Sequence, residues 1–358
     1  MRPAAGKRCL QSIVAGVAIF VQVAAGSAGE QAAASETAIV APKEHRRATE
    51  QTFLTFPEWF LVHSPAEYAA YVKTNAPTQF PFLGHVRQFW QSYHAVYDAT
   101  RTDYPFNAGY HVMIMVIGIS TTVEYALKSA YETLVGRLSA LTAMHGLTDE
   151  DRYGARVAQD YVDFIRVLPW YEYDFGRKLA GLWRETGIWG PGPVRKWERK
   201  YALTTEYAIK AAYGWLIKKA TRASYDAPLL VTAVVVNRLP QGIEDELPDL
   251  KVLRRLPDGR ALVTVPRYDA FMRYASTLAA HGASFSEIAG NSSVILLSAL
   301  VADQWRPEAD GFKVLFAQPI ITQPGTKRVA LVIPVSALAA SLNTFRERGI
   351  RLEHVYDY

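Results

Sequence analysis

From Phe53 to Tyr225 apolar residues recur every three or four positions, whereas beyond Asp226, beginning with Leu229, they alternate or gather in β-branched blocks. The chain therefore predicts helices first and strands afterwards. Helix punctuation divides the first region. Asn107 suits the cap of a long helix from about Ala108 to Met144, with Gly146 as its stop. Thr148 and Asp151 stand at capping-box spacing for a helix that ends before Pro169. A shorter helix spans about Glu172 to Glu185, and Gly187 to Gly192 breaks it. Pro193 then suits the first turn of a helix reaching about Arg222.

The strand-rich region contains an internal repeat. Lys251-Val252-Leu253, a turn at Pro257-Asp258-Gly259, Ala261-Leu262-Val263, a helix to Gly282 and a strand over Ser284 to Ala289 make the first copy. Lys313-Val314-Leu315, a turn at Pro324-Gly325, Ala330-Leu331-Val332, a helix to Gly349 and a strand over Arg351 to Tyr356 make the second. Two such units joined in one antiparallel sheet, with both helices on one face, predict a ferredoxin-like α+β domain with a tandem ββαβ repeat. The expected organisation is an α+β protein of two domains, an aromatic-rich helical domain over 52–226 and the ferredoxin-like domain over 227–358.

The first 28 residues have a different pattern. Arg2, Lys7 and Arg8 precede an uncharged stretch from Cys9 to Gly29, and small residues at Ala24 to Ala28 follow its apolar centre. This is the layout of a secretory signal, cleaved or retained as a membrane anchor, and it places the rest on the periplasmic side of the membrane. Residues 29–51 have no apolar period and read as a flexible tether.

Composition narrows the functional classes. Cys9 is the only cysteine, so the exported part has no disulfide, thiolate metal site or cysteine nucleophile. Of the formal charge of +5, three charges belong to Arg2, Lys7 and Arg8, and the remaining +2 argues against nucleic-acid binding. Phosphate loops, zinc-protease helices, nucleophile elbows and haem-attachment motifs are absent, so no cofactor or metal is expected.

Seven of the eight Trp and sixteen of the twenty Tyr fall between Phe53 and Tyr225, a density that calls for a large core, a ligand cavity or a membrane-facing rim. Three arrangements carry candidate chemistry. Trp90, His94, Asp98 and Arg101 share one helical face, where His94 and Asp98 suit an acid-base or metal pair and Arg101 an anion clamp; a surface salt-bridge ladder is the plainer alternative. Val112 to Val123, bounded by His111 and Glu124, is short for a membrane span and reads as a buried bundle helix, with His111 a core histidine.

The third arrangement is the helix from Pro193 to Arg222, with eight basic residues against Glu198 and Glu206. Arg195, Lys196, Arg199, Lys200, Lys218 and Lys219, flanking a stripe that includes Trp197 and Trp215, suit an anionic membrane surface or envelope partner; an ordinary bundle helix with its apolar side in the core and its cations solvated is the plainer alternative. Arg166, Pro169, Trp170, Tyr171, Glu172, Tyr173, Asp174, Phe175 and Arg177 suit the rim of a cavity for an amphiphile or, as the plainer alternative, an interhelical corner tied by Arg-carboxylate pairs.

The leading expectation is a membrane-associated envelope protein of binding or assembly type. The alternatives are a hydrolase or transferase on an amphiphilic substrate and a carrier of a small apolar ligand.

Overall fold

The computed structural model describes residues 39–143, 146–222, 230–307 and 312–357. The signal or anchor over 1–28 and the first part of the tether lie outside them.

Six helices lead: α1 (Gln51–Val72), α2 (Phe82–Thr100), α3 (Ala108–Tyr131), α4 (Asp149–Ile165), α5 (Phe175–Glu185) and α6 (Pro193–Arg222). Their ends follow the capping chemistry. The Asn107 side chain accepts from the Tyr110 N–H, and Thr148 and Asp151 form a reciprocal capping box. Asp174 caps α5 through the Arg177 N–H. α3 continues through a π-helical turn (Glu132–Gly136) to Ala140, giving 33 helical residues.

The second region holds eight strands in two four-stranded antiparallel sheets, not one. β1 (Val231–Asn237), β2 (Lys251–Arg255), β3 (Arg260–Pro266) and β4 (Ser284–Ile288) assemble in the order β2-β3-β1-β4, with α7 (Asp269–Ala280) between β3 and β4. β5 (Val294–Ala302), β6 (Lys313–Pro319), β7 (Thr326–Pro334) and β8 (Arg351–Val355) assemble as β6-β7-β5-β8, with α8 (Leu338–Glu347) before β8.

The repeat is therefore present, but each copy gains a leading strand, β1 or β5, and closes its own sheet with one helix. This corrects the expectation of one sheet carrying two helices. Register shifts recur at equivalent places, at Val252/Arg254 in β2 and Val314/Phe316 in β6, which marks the two sheets as copies of one unit. Gly259 and Gly325 close the matching hairpins with φ of 86° each, a conformation that glycine adopts without penalty.

One face of each sheet and both helices share one core that includes Val234, Val263, Phe271, Leu297, Leu331 and Phe345. The other face of the β5–β8 sheet, through Leu296, Ala330 and Val332, packs on α1 and α2 at Leu54, Phe56, Phe60 and Phe89. The helical and sheet parts thus interlock.

The other face of the first sheet is covered by Val40 and Ala41. Their backbone N–H groups donate to the Glu287 carboxylate at 2.8 and 2.7 Å, and the Arg47 N–H donates to the Ala289 carbonyl at 2.9 Å. Residues 39–51 are therefore docked along the sheet and are no free tether. The composition of the segment concealed this, because its ties are backbone hydrogen bonds.

Candidate functional site

The orientation of α6 decides what its charges can do. Arg195, Lys196, Arg199 and Lys200 are all buried, Arg195 at 1% exposure. Arg195 pairs with Asp151 at 3.1 Å and Glu198 at 2.8 Å, Lys196 with Glu150 at 2.8 Å, and Arg199 with Glu132 at 2.7 Å. Lys200 donates to the Thr186 carbonyl at 2.9 Å and lies 3.4 Å from Glu150. Nearly three turns on, Lys210 and Lys128 share Glu124 and Glu206 at 2.8 to 3.2 Å.

These pairs link α6 in antiparallel register to α3 and fasten it to the start of α4. The expected contact of Arg195, Lys196, Arg199 and Lys200 with an anionic surface is thereby corrected. Acids on neighbouring helices, out of register in the sequence, compensate these cations in the interior. Lys218 pairs with Glu172, and the Lys219 ammonium stands 5.3 Å over the Trp215 ring.

The opposite side of α6 is apolar and faces outward. Val194, Trp197, Tyr201, Ile209 and Trp215 are exposed along it, with Trp183, Ile188 and Trp189 nearby in sequence, the last at 81%. The stripe read from the sequence therefore exists, on the solvent side of the helix.

α3 has the same polarity. Its inner side packs through His111, Ile114, Gly118, Thr121 and Tyr125, and at Gly118 a Cβ would collide with the Phe89 and Trp90 rings. Its outer side carries Met115, Val116, Ile119, Val123, Leu127, Leu134 and Leu138, with Leu127 at 67% exposure.

Between Met115 and Val135 the stripe itself carries no charge, and Glu124 beside it, with its side chain 40% exposed, is tied to Lys128 and Lys210; this makes an uncharged face about 30 Å long at 1.5 Å per residue. α3 is the one helix among the described residues long and apolar enough to cross a membrane, yet only 22% of its most apolar window is buried. This corrects the expectation that Val112 to Val123 is enclosed by the bundle. His111 is buried as expected, its Nδ1 3.0 Å from the Tyr93 hydroxyl and its ring stacked on Phe106.

Among the described residues, 22 of the 26 exposed large apolar side chains lie between residues 51 and 222, so apolar exposure belongs to the helical part.

His94, Asp98 and Arg101 stand together on the exposed side of α2. Asp98 and Arg101 form an open ion pair at 3.3 Å, with side chains 62% and 56% exposed, and Trp90 donates to the Thr122 hydroxyl at 3.0 Å. The geometry is the surface ladder. No group of three or more potential metal ligands occurs among the described residues.

α1 supplies polar residues that the sequence reading did not single out. The Ser64 hydroxyl lies 2.9 Å from His85 Nδ1 and 2.7 Å from the Tyr125 hydroxyl, and His85 Nε2 lies 3.6 Å from Glu67. Arg328 joins Glu67 and Glu353 at 3.1 and 2.5 Å, and His63 reaches Tyr356 at 3.0 Å. Burial lowers His85 to about 3, so its ring is neutral.

Ser64, His85 and Glu67 have the composition of a nucleophile relay. They lack its oxyanion hole, because Ser64 lies inside α1, where backbone N–H groups are held by helix hydrogen bonds. Ser64 does line a cavity of about 110 Å³ between α1, α3, α4 and α6, together with the Lys128 and Lys210 ion pairs.

A second cavity, of about 280 Å³, lies where α1, α3 and α4 meet Val167 to Tyr171 and Tyr268. Trp170 and Tyr171, from the aromatic cluster noted in the sequence, line it. Glu58 and Trp59, which the sequence reading missed, form its wall on α1. A carboxylate one residue before a tryptophan in a helical run was the available signal.

No family model matches this chain, and neither the curated proteins nor the solved structures contain a match.

Proposed function

We propose that the protein is an exported envelope component that lies against a membrane through the outer faces of α3 and α6. The two-sheet part, expected from its repeat to be ferredoxin-like, serves recognition or assembly. The observation that carries this reading is the uncharged apolar face of α3 between Met115 and Val135.

Outward Trp and Tyr on α6 support it, since such rings settle at the level of lipid headgroups. Paired charges on the inner side of the same helices leave the outer faces free to enter an apolar phase. The inner faces are occupied by the fold, so α3 lies in the interface instead of crossing it.

Fractionation tests the proposal. Membranes are separated from soluble periplasm, washed in high salt, and the N-terminus of the recovered protein is read by mass spectrometry. A cleaved protein that stays with membranes through the salt wash supports apolar contact by the helical part. A cleaved protein soluble throughout contradicts it.

The enzyme alternative has less support, because His94, Asp98 and Arg101 stand on open surface.

A further inference from the structure

We infer that the cavity of about 280 Å³ beside Glu58 is a binding site for a small organic ammonium group bearing an apolar substituent. Five aromatic side chains, Trp59, Tyr161, Trp170, Tyr171 and Tyr268, line it, and the rest of the wall is aliphatic except for Glu58. Glu58 is the one acidic or basic side chain among the lining residues.

Aromatic rings around a carboxylate attract a cation, through ring quadrupole and net charge together. The volume lies just under the roughly 300 Å³ floor of small-molecule sites, which restricts the ligand to about the size of one ring and an ammonium group.

The state of Glu58 separates this cavity from the rest of the helical interior. Glu124, Glu132, Glu150, Asp151 and Glu206 each have a lysine or arginine partner within 3.4 Å. Among the described residues no lysine or arginine comes within ion-pairing distance of Glu58. It accepts only a hydrogen bond from the Tyr110 hydroxyl at 2.9 Å. Arg267 stands 5.0 Å over the Tyr268 ring and does not line the cavity. Burial pushes the Glu58 carboxyl above its ordinary range, against the Tyr110 hydrogen bond and the more distant charge of Arg267, which act to lower it.

The backbone supplies a second indication. Tyr268 has φ 62° and ψ −134°, outside the regions open to bulky L-residues, immediately before α7. Such conformations persist where the surroundings enforce them, and they cluster at ligand sites. Here the conformation accompanies a Tyr268 side chain that lines a cavity otherwise walled by the helical part.

The inference does not depend on membrane contact, and its test is made away from lipid. Benzyltrimethylammonium, benzyl alcohol and benzoate are titrated calorimetrically into the full chain in neutral maltoside micelles. The expected result is one-to-one binding of the cation, with the alcohol and the anion at least tenfold weaker.

Glu58→Gln is expected to weaken cation binding at least tenfold at unchanged thermal stability. Trp170→Ala, at the rim, is expected to weaken it severalfold with Glu58 in place. Benzoate binding as well as the cation, undiminished binding by both variants, or no cation binding at millimolar concentration would overturn the inference.

Discussion

Lys196 is a cation whose role its neighbours decide. It is buried at 3% exposure against Glu150 at 0%, and Arg195 meets Asp151 in the same layer. Removing one partner leaves the other charged and dry, so Lys196→Ala and Arg195→Ala are each expected to cost about 3–5 kcal/mol in urea unfolding. A loss below about 1 kcal/mol would mean that the side chains face solvent. The sequence revealed the charges and not their direction, because Glu132, Glu150 and Asp151 come from other helices and no spacing rule reaches across a bundle. The capping residues Asn107 and Thr148 were legible because each acts within four residues of itself, whereas Asp174 lay inside the helix expected from Glu172 and was not read as its cap. Buried histidines give a pH signature. Desolvation lowers His63 and His85 to about 3 from an ordinary 6.5. Between those values the unfolded chain binds more protons than the folded one. The stability they contribute is therefore full above about pH 6.5 and is lost as pH falls toward 3. Asp357, pushed up to about 7 by burial, acts with the opposite sign, its contribution being lost as pH rises through 7. The informative comparison is therefore with His85→Asn, which should show a shallower fall in urea midpoint from pH 6.5 to 4 than the unsubstituted protein. Parallel profiles would contradict the burial of a neutral His85.

At the scale of elements, α3 and α6 carry the functional reading. Ile119, Val123 and Leu127 lie four residues apart on the outward face, and none contributes to a core cluster. The triple substitution Ile119→Lys, Val123→Lys and Leu127→Lys is expected to change stability by only about 0.5 kcal/mol per site. It should move a cleaved protein from the membrane to the soluble fraction. Unchanged fractionation would remove α3 from the membrane contact. Helix starts and the strand repeat were legible because periodicity, glycine turns and caps are local. The two-sheet closure was not, because one long sheet and two short ones present the same alternation of side chains. Nor was the exposure of α3 legible, since an apolar face turned to lipid has the same period as one turned to a core.

For the whole molecule, the consequence of the fold is that α1 belongs to both parts. Phe56 is fully buried, with its ring 4.8 Å from Phe316 and 5.5 Å from Tyr356, so the helical bundle and the second sheet share its contacts. Phe56→Ala is expected to cost about 3–5 kcal/mol and to lower helix and sheet signals together in one transition. Separate transitions would show that the two parts fold alone. The shared core also fixes the outer face of α3 relative to the sheets, so contact of that face with lipid would orient the entire protein. The most direct test places a fluorophore on single cysteines at positions 119, 127 and 346, in a Cys9→Ser background, with the full chain in vesicles containing lipids brominated on their acyl chains. Quenching at 119 and 127 with none at 346 is the predicted result. Equal fluorescence at all three positions, with the protein bound to the vesicles, would contradict the membrane-facing wall.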